Sequence, residues 1–113
     1  MDSMVGFVGV GQMGRPMAHH LVVAGFGLVV HDLEEQAAAS LLEAGASWAA
    51  TPADVARMCR VVITCLPTPQ IVEEVALGTA GLSSAWRAGD IYIDMSTNSP
   101  STVRRIAEAA ASV

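Results

Sequence analysis

Three glycines near the start of the chain, Gly9, Gly11 and Gly14, have the spacing of a loop that binds phosphate groups. They follow the apolar run 5–8 and precede an amphipathic stretch, so a strand should enter the loop and a helix should leave it. The free N–H groups and the positive end of that helix would favour a pyrophosphate. Gly9 would permit the turn, Gly11 would let the phosphates approach, and Gly14 would let the helix pack on the strand. A glycine turn in an unrelated α/β protein is the alternative.

An acidic residue, Asp32, ends the second apolar run, residues 28–31. Its distance from the first glycine is close to the roughly 20 residues at which such folds place a ribose-binding carboxylate. A carboxylate accepts both ribose hydroxyls of NAD, whereas the 2′-phosphate of NADP would meet a like charge with no arginine beside it. The sequence therefore predicts NAD rather than NADP. Asp32 could also cap a helix that starts at Leu33, and the two roles are compatible.

The composition indicates a single folded domain over residues 1–113, since 52% of the residues are hydrophobic and 15% are charged. The net charge of −5 and six scattered arginines argue against nucleic acid or an anionic membrane surface as a partner. The first residues show no basic leader region, so we expect a cytoplasmic protein. Cys59 and Cys65 have no metal-ligand spacing, which predicts reduced thiols and no metal site.

Short β-rich runs alternate with helical ones along the chain, which is typical of an α/β protein with a Rossmann-type, doubly wound parallel sheet. Strands are predicted at 4–9, 27–31, 47–49, 61–65 and 91–94, and helices at 12–24, 34–43, 52–59, 69–77 and from 100 onward. The pairs Thr51-Pro52 and Ser99-Pro100 mark two helix starts, because the hydroxyl caps the helix and proline suits its first turn. Ligands of such sheets lie just beyond the carboxyl ends of the strands.

Two loops after later strands extend the candidate site. Leu66-Pro67-Thr68 follows the fourth strand, and its proline would form a wall against a dinucleotide, although a turn that merely ends the strand is the alternative. Residues 96–99 precede a helix, and their hydroxyls and free N–H groups suit a carboxylate. Capping of that helix explains Ser99 but leaves Ser96, Thr97 and Asn98 unexplained.

With these stretches the chain resembles the N-terminal domain of the β-hydroxyacid dehydrogenase family, which includes 3-hydroxyisobutyrate dehydrogenase and tartronate semialdehyde reductase. Residues 6–18 with Gly25, the pair Leu66-Pro67 and residues 94–100 carry the resemblance, which covers essentially the whole chain. It implies hydride transfer between a 3-hydroxy acid and a nicotinamide cofactor. It also implies that Leu66-Pro67 and Thr97 line the cofactor and that Ser96 helps to bind the substrate carboxylate.

The predicted site therefore has two sets of residues. The cofactor-binding set is Gly9, Gly11, Gln12, Met13, Gly14, Asp32, Leu33, Leu66, Pro67 and Thr97. The substrate-binding set is Ser96, Thr97 and Asn98.

Two departures from the family pattern bear on catalysis. The family's general acid/base is a lysine on a later helix, whereas all six basic residues here are arginines, so the chain alone should not turn over. The resemblance covers the family's N-terminal domain and not its helical C-terminal domain, so we expect a fragment or isolated domain, and a homo-oligomer only of a full-length form. His20 replaces the family's usual asparagine. It shares a helix face with Met13 and Met17, which predicts a hydrogen-bonded core residue, and His19 should be solvated.

Other functions stay open on the sequence alone. A stand-alone module could carry or sense NAD without chemistry. An imine reductase or 6-phosphogluconate dehydrogenase relative would use NADP, but the run Asp32-Leu33-Glu34-Glu35 argues against the basic residues that NADP requires. The identity of the hydroxy acid is not encoded in these residues.

Overall fold

The computed structural model describes residues 4–113, which fold around a five-stranded parallel sheet. The strands are β1 (Met4–Val8), β2 (Gly27–His31), β3 (Ser47–Trp48), β4 (Val61–Thr64) and β5 (Ile91–Asp94). The α-helices are α1 (Gly14–Val23), α2 (Ala39–Glu43), α3 (Pro52–Met58), α4 (Pro69–Leu77) and α5 (Pro100–Ala111), with 3₁₀ turns at Glu35–Ala38 and Leu82–Ala85. Residues 1–3, on which the leader prediction depends, lie outside the described part.

The strand order is β3-β2-β1-β4-β5, and all neighbouring strands are parallel. The order reverses between β1 and β4, so a crevice opens beyond their carboxyl ends, where sheets of this type bind ligands. Val8 pairs with both His31 and Thr64, which brings the ends of β1, β2 and β4 to the same level. The prediction of a Rossmann-type, doubly wound sheet is confirmed.

Successive residues of the central strand bury side chains on opposite faces, and this alternation builds two core layers. Phe7 packs with Ala18 of α1 and Leu41 of α2, whereas Val8 packs with Val55 of α3 and Val75 near the end of α4. Phe7 is only 1% exposed, and full burial of such a side chain contributes about 1.5–3 kcal/mol. The two layers fix β1 between helices and thereby fix the start of the glycine loop.

The predicted elements are all present, with shifted boundaries. The first helix begins at Gly14 rather than at residue 12, and the predicted helix 34–43 is divided into a 3₁₀ turn and the short α2. Thr51 and Ser99 cap α3 and α5 as predicted, because their hydroxyl oxygens accept backbone N–H groups at 3.1 and 3.2 Å. Thr68 caps α4 in the same way, by accepting from Ile71 N–H at 3.2 Å.

Within residues 4–113 no helix combines the length and the apolar character that crossing a membrane requires. The same residues contain no cluster of three or more His, Cys, Asp or Glu side chains that could hold a metal ion. Both cysteines are free thiols, as predicted. Burial raises the pKa of Cys59 to about 11, so that thiol is a core residue and not a nucleophile.

Candidate functional site

The loop between β1 and α1 needs glycine at its first position for steric reasons. Gly9 has a φ of +97°, in the left-handed region, and its N–H donates to the carbonyl oxygen of His31 at 3.0 Å. A Cβ at this position would overlap the backbone carbonyl oxygen of Cys65, just after β4. Gly9 therefore permits the turn, as predicted, and also lets the ends of β1 and β4 approach each other.

The other two glycines of the loop differ from each other in what surrounds them. A Cβ on Gly14 would overlap the carbonyl oxygen of Gly9 and lie 3.1 Å from the Phe7 ring, so Gly14 lets α1 pack on β1 as predicted. A Cβ on Gly11 would meet no atom of residues 4–113 within 4 Å. Gly11 and Gln12 are exposed, as is Met13 at 70%. The fold does not require a glycine at position 11.

The first turn of α1 lacks the side-chain cap that three other helices have. Met13 precedes the helix and makes no capping hydrogen bond, whereas Thr51, Thr68 and Ser99 each accept a backbone N–H from the helix they precede. The N–H groups at a helix start need acceptors, and an anion supplies them as well as a side chain does. A loop with no side chain at Gly11, followed by a ten-residue helix without a side-chain cap, fits a pyrophosphate.

Asp32 ties the end of β2 to this loop. One carboxylate oxygen accepts from Val10 N–H at 2.9 Å and the other from Glu34 N–H at 3.0 Å. The bond to Glu34 closes a turn and caps no helix, because the 3₁₀ turn that starts at Glu35 has no side-chain cap. Each carboxylate oxygen keeps further lone pairs, so Asp32 can still accept hydroxyl groups of a ribose. Leu33, beside it, is 85% exposed.

One basic residue lies on the Asp32 side of the loop, which the sequence did not reveal. The Arg15 guanidinium reaches from the first turn of α1 toward the carbonyl oxygen of Ala37, at 3.4 Å. This contact joins residues 22 positions apart, so only the fold brings them together. Arg15 places a positive charge near the segment that follows Asp32, where NADP would carry its 2′-phosphate.

The prediction for His20 of α1 is wrong, whereas the prediction for His19 holds in part. His20 is exposed and not a core residue, because α1 buries Gly14 and Ala18 and turns the face of His20 outward. His19 is half-buried, and its Nε2 lies 3.1 Å from the Ser40 hydroxyl. The α1 boundary explains the error, since Met13 belongs to the loop and does not define a buried face.

The loops after β4 and β5 are joined through hydrogen bonds. The hydroxyl oxygen of Ser96 accepts from Leu66 N–H at 2.7 Å. Asp94, the last residue of β5, accepts from the Thr64 hydroxyl at 2.8 Å and from Ser96 N–H at 3.1 Å through one oxygen. Its other oxygen accepts from the Asn98 amide at 2.6 Å. We call Thr64, Asp94, Ser96 and Asn98 the Asp94 network.

Hydrogen bonds of this network keep Asp94 ionised. Partial burial works to raise the pKa of Asp94, but the bonds from Ser96, Thr64 and Asn98 together outweigh it and hold the pKa below its ordinary value. Tyr92 also contacts the Thr64 hydroxyl, at 2.8 Å, and burial raises its pKa to about 12. Asp94 and Thr64 were absent from the predicted site, although both end strands.

The structure brings the predicted residues together along the carboxyl edge of the sheet. Leu66 is half-buried, while Pro67 and Thr97 are exposed beside it. The side chains of Ser96 and Asn98 make hydrogen bonds within the protein. A cavity of about 350 Å³ lies beside β5, and its walls include Trp86, Val103 and Ile106 together with Asp94 and Asn98 of the Asp94 network. Because none of its lining residues belongs to the loops after β1, β2 or β4, we assign no dinucleotide to it.

Comparison with known proteins agrees with the resemblance. Residues 4–113 match the family described as the NAD binding domain of 6-phosphogluconate dehydrogenase. The 3-hydroxyisobutyrate dehydrogenase of Pseudomonas aeruginosa is 41% identical over 107 residues, which are 95% of this chain and 36% of that protein. The solved 3-hydroxyisobutyrate dehydrogenase of Mycobacterium tuberculosis has a TM-score of 0.86 and 30% identity, over 98% of this chain and 38% of that one.

A further solved structure holds a cofactor. Psf3, in complex with NADP⁺ and 2-OPP, has a TM-score of 0.88 and 30% identity, over 96% of this chain and 38% of that one. The chain thus spans little more than a third of the length of each of these relatives.

Proposed function

This chain belongs to the NAD-binding domain family of 6-phosphogluconate dehydrogenase, and we propose that it supplies the NAD site of an oxidoreductase that acts on a 3-hydroxy acid. The observation that carries the proposal is the glycine loop at the start of α1, which is bare at Gly11 and has no side-chain cap. Such a loop beside a carboxylate at the end of β2 is the arrangement that binds a dinucleotide.

Each part of the site has a distinct task under this proposal. The backbone at Gly11, Gln12 and Met13 and the positive end of α1 hold the pyrophosphate. Asp32 accepts the ribose hydroxyls on the β2 side, with Leu33 against the adenosine. Leu66, Pro67 and Thr97 line the nicotinamide half on the β4 and β5 side. The cofactor, when bound, supplies a nicotinamide ring that accepts or donates hydride.

The substrate is a proposal that rests on the family and on the loop after β5. Ser96, Thr97 and Asn98 present polar groups and an approach to the start of α5, which suits a carboxylate. None of these groups can take a proton from a hydroxyl at neutral pH, and the chain has no lysine. We therefore place the general base outside these 113 residues and expect no turnover by the chain alone.

The expected partners follow from the same assignment. A small hydroxy acid is the substrate, nucleic acid and membrane surfaces are not partners, and a homo-oligomer is expected of a full-length form. Two reduced thiols and an acidic chain are compatible with the cytoplasm as its location.

The choice of NAD over NADP depends on Asp32. Because two N–H groups hold its carboxylate, Asp32 cannot swing away from a 2′-phosphate. A like charge about 4 Å away costs roughly 1 kcal/mol in water and 4 kcal/mol at an effective dielectric near 20. Arg15 opposes this effect, and Psf3 was solved with NADP⁺. We expect Asp32 to dominate, because it is fixed at the end of β2 while Arg15 makes only one long hydrogen bond.

Calorimetric titration of the chain with each cofactor tests the assignment. We expect NAD to bind roughly 10- to 100-fold more tightly than NADP, and Asp32→Asn to narrow that ratio. Asp54→Asn is the matched control, since Asp54 is a carboxylate paired with Arg57 outside the site. Equal affinities in the unmutated chain would contradict the choice of NAD. Tighter binding of NADP that Arg15→Ala abolishes would show that the chain serves an NADP enzyme.

A further inference from the structure

The Asp94 network connects two loops that lie on different strands. Asp94 and Thr64 are register partners at the ends of β5 and β4, and their side chains are hydrogen-bonded at 2.8 Å. Asp94 also receives Ser96 N–H and the Asn98 amide, which folds the loop after β5 back over the strand end. The carboxylate thus fixes the backbone of one loop against the buried hydroxyl of the neighbouring strand.

Ser96 extends this connection to the loop after β4. The hydroxyl oxygen of Ser96 accepts from Leu66 N–H, so the position of Ser96 fixes the start of the Leu66-Pro67 loop. Asp94 in turn holds Ser96, because the Ser96 N–H donates to one oxygen of the Asp94 carboxylate at 3.1 Å. The chain of contacts runs from Asp94 through Ser96 to Leu66, and it ends at the wall predicted to contact the cofactor.

We propose, on the basis of the proposed function, that Asp94 is a positioning residue that holds the loops after β4 and β5 as one surface for the nicotinamide half of the dinucleotide. The two halves of the site are held by different carboxylates. Asp32 fixes the glycine loop on the β2 side. On the β4 and β5 side, Asp94 holds Ser96 and Asn98, which flank Thr97 in the chain, and Ser96 in turn holds Leu66. Loss of Asp94 should therefore affect one half of the ligand and spare the other.

Asp94→Asn is the substitution that tests this role with least change of shape. The Asn98 amide nitrogen donates to Asp94, so an amide nitrogen at position 94 would place two hydrogen-bond donors opposite each other. Asn98 is held in this orientation, because its carbonyl oxygen already accepts from Ser99 N–H at 2.8 Å. We expect Asp94→Asn to weaken NAD binding by about tenfold and AMP binding by less than about twofold, since AMP lacks the nicotinamide half. Ser96→Ala should act in the same direction.

The double variant shows whether the two residues act through one another. If Asp94 works through Ser96, the double variant Asp94→Asn, Ser96→Ala should bind NAD within about twofold of the affinity of whichever single variant binds NAD less tightly. If the two residues act independently, the fold-losses of NAD affinity of the two single variants should multiply in the double variant. A multiplied loss would overturn the proposed path through Ser96.

Asp90→Asn is the control for a loss of stability without a loss of positioning. Asp90 precedes β5 at the opposite end of the strand and is held by Arg87, with its side chain only 8% exposed. Asp90→Asn should lower the melting temperature but keep the ratio of NAD to AMP affinity. If Asp94→Asn does not fold, Asn98→Ala removes the bond from Asn98 to Asp94, together with the acceptor of Ser99 N–H, and should shift the same ratio.

The outcomes separate this inference from the proposed function. An unmutated chain that binds neither NAD nor AMP contradicts the proposed function. Binding of both ligands, with an unchanged ratio in Asp94→Asn or Asn98→Ala, leaves the proposed function intact and overturns the positioning role.

Discussion

Helices α3, α4 and α5 each begin at a proline that follows a serine or threonine, whose hydroxyl accepts an N–H group of the first turn. Helix α1, by contrast, begins at Gly14 and has no side-chain acceptor at its start. Each of these helices follows a parallel strand, so each directs its first turn toward the carboxyl edge of the sheet. A cap contributes about 0.5–2 kcal/mol, and α1 lacks that contribution. The difference separates the helix starts whose caps stabilise the fold from the uncapped start that we propose as the binding site of the dinucleotide.

The same distinction separates the glycines inside the loop. Gly9 and Gly14 are required by the protein, because a Cβ on either would overlap a backbone carbonyl oxygen. A Cβ on Gly11 would have no neighbour within 4 Å in the part of the chain that the structure describes, so no contact there requires a glycine. The loop therefore contains two glycines that hold α1 against β1 and a third, Gly11, that we assign to the ligand under the proposed function.

The largest expected effect comes from Gly14→Ala. The new Cβ would meet the carbonyl oxygen of Gly9, which is backbone and cannot move without displacing the end of β1. We expect a loss of about 3 kcal/mol or more in the free energy of unfolding, at the upper end of overpacking costs. Urea denaturation followed by circular dichroism measures it. A variant as stable as the parent would show that α1 can shift along the sheet.

A smaller effect is expected from Thr51→Ala, at the start of a capped helix. Loss of the bond from Asp54 N–H should lower the free energy of unfolding by about 1 kcal/mol. Calorimetry should show that NAD affinity changes by less than about twofold, since this cap serves the fold alone. Thr51→Ser keeps the hydroxyl and should restore most of the stability. A large loss of NAD affinity in Thr51→Ala would remove the distinction between the helix starts.

The parts of the site that were predictable from the sequence depend on short-range patterns. The glycine spacing, Asp32 at the end of an apolar run and two Ser/Thr-Pro pairs each act within a few residues, so their signals are local. The roles of Gly9 and Gly14 followed because the strand–loop–helix geometry fixes them.

The parts that were missed depend on long-range pairing. The contact of Thr64 with Asp94 spans 30 residues and depends on the register of β4 with β5. The contact of Arg15 with Ala37 depends on how α1 lies beside the segment after β2. His20 was misplaced because the rotation of α1 depends on where the helix begins. None of these is encoded in a local pattern.

The central claim is that position 11 is a glycine because a pyrophosphate binds against its backbone. Its direct test is calorimetric titration of NAD into Gly11→Ala, with thermal unfolding measured on the same sample. Gly45→Ala is the matched control, because its Cβ would also enter open space but its φ of +111° strains any other residue.

We predict that Gly11→Ala loses NAD affinity on the order of 100-fold, since the loop N–H groups can no longer approach the phosphates. Its melting temperature should stay within about 4 °C of the parent, a shift of less than about 1 kcal/mol for a domain of this size. Gly45→Ala should show the reverse, with a lower melting temperature and unchanged affinity. Normal NAD binding by Gly11→Ala, or its unfolding, would contradict the account.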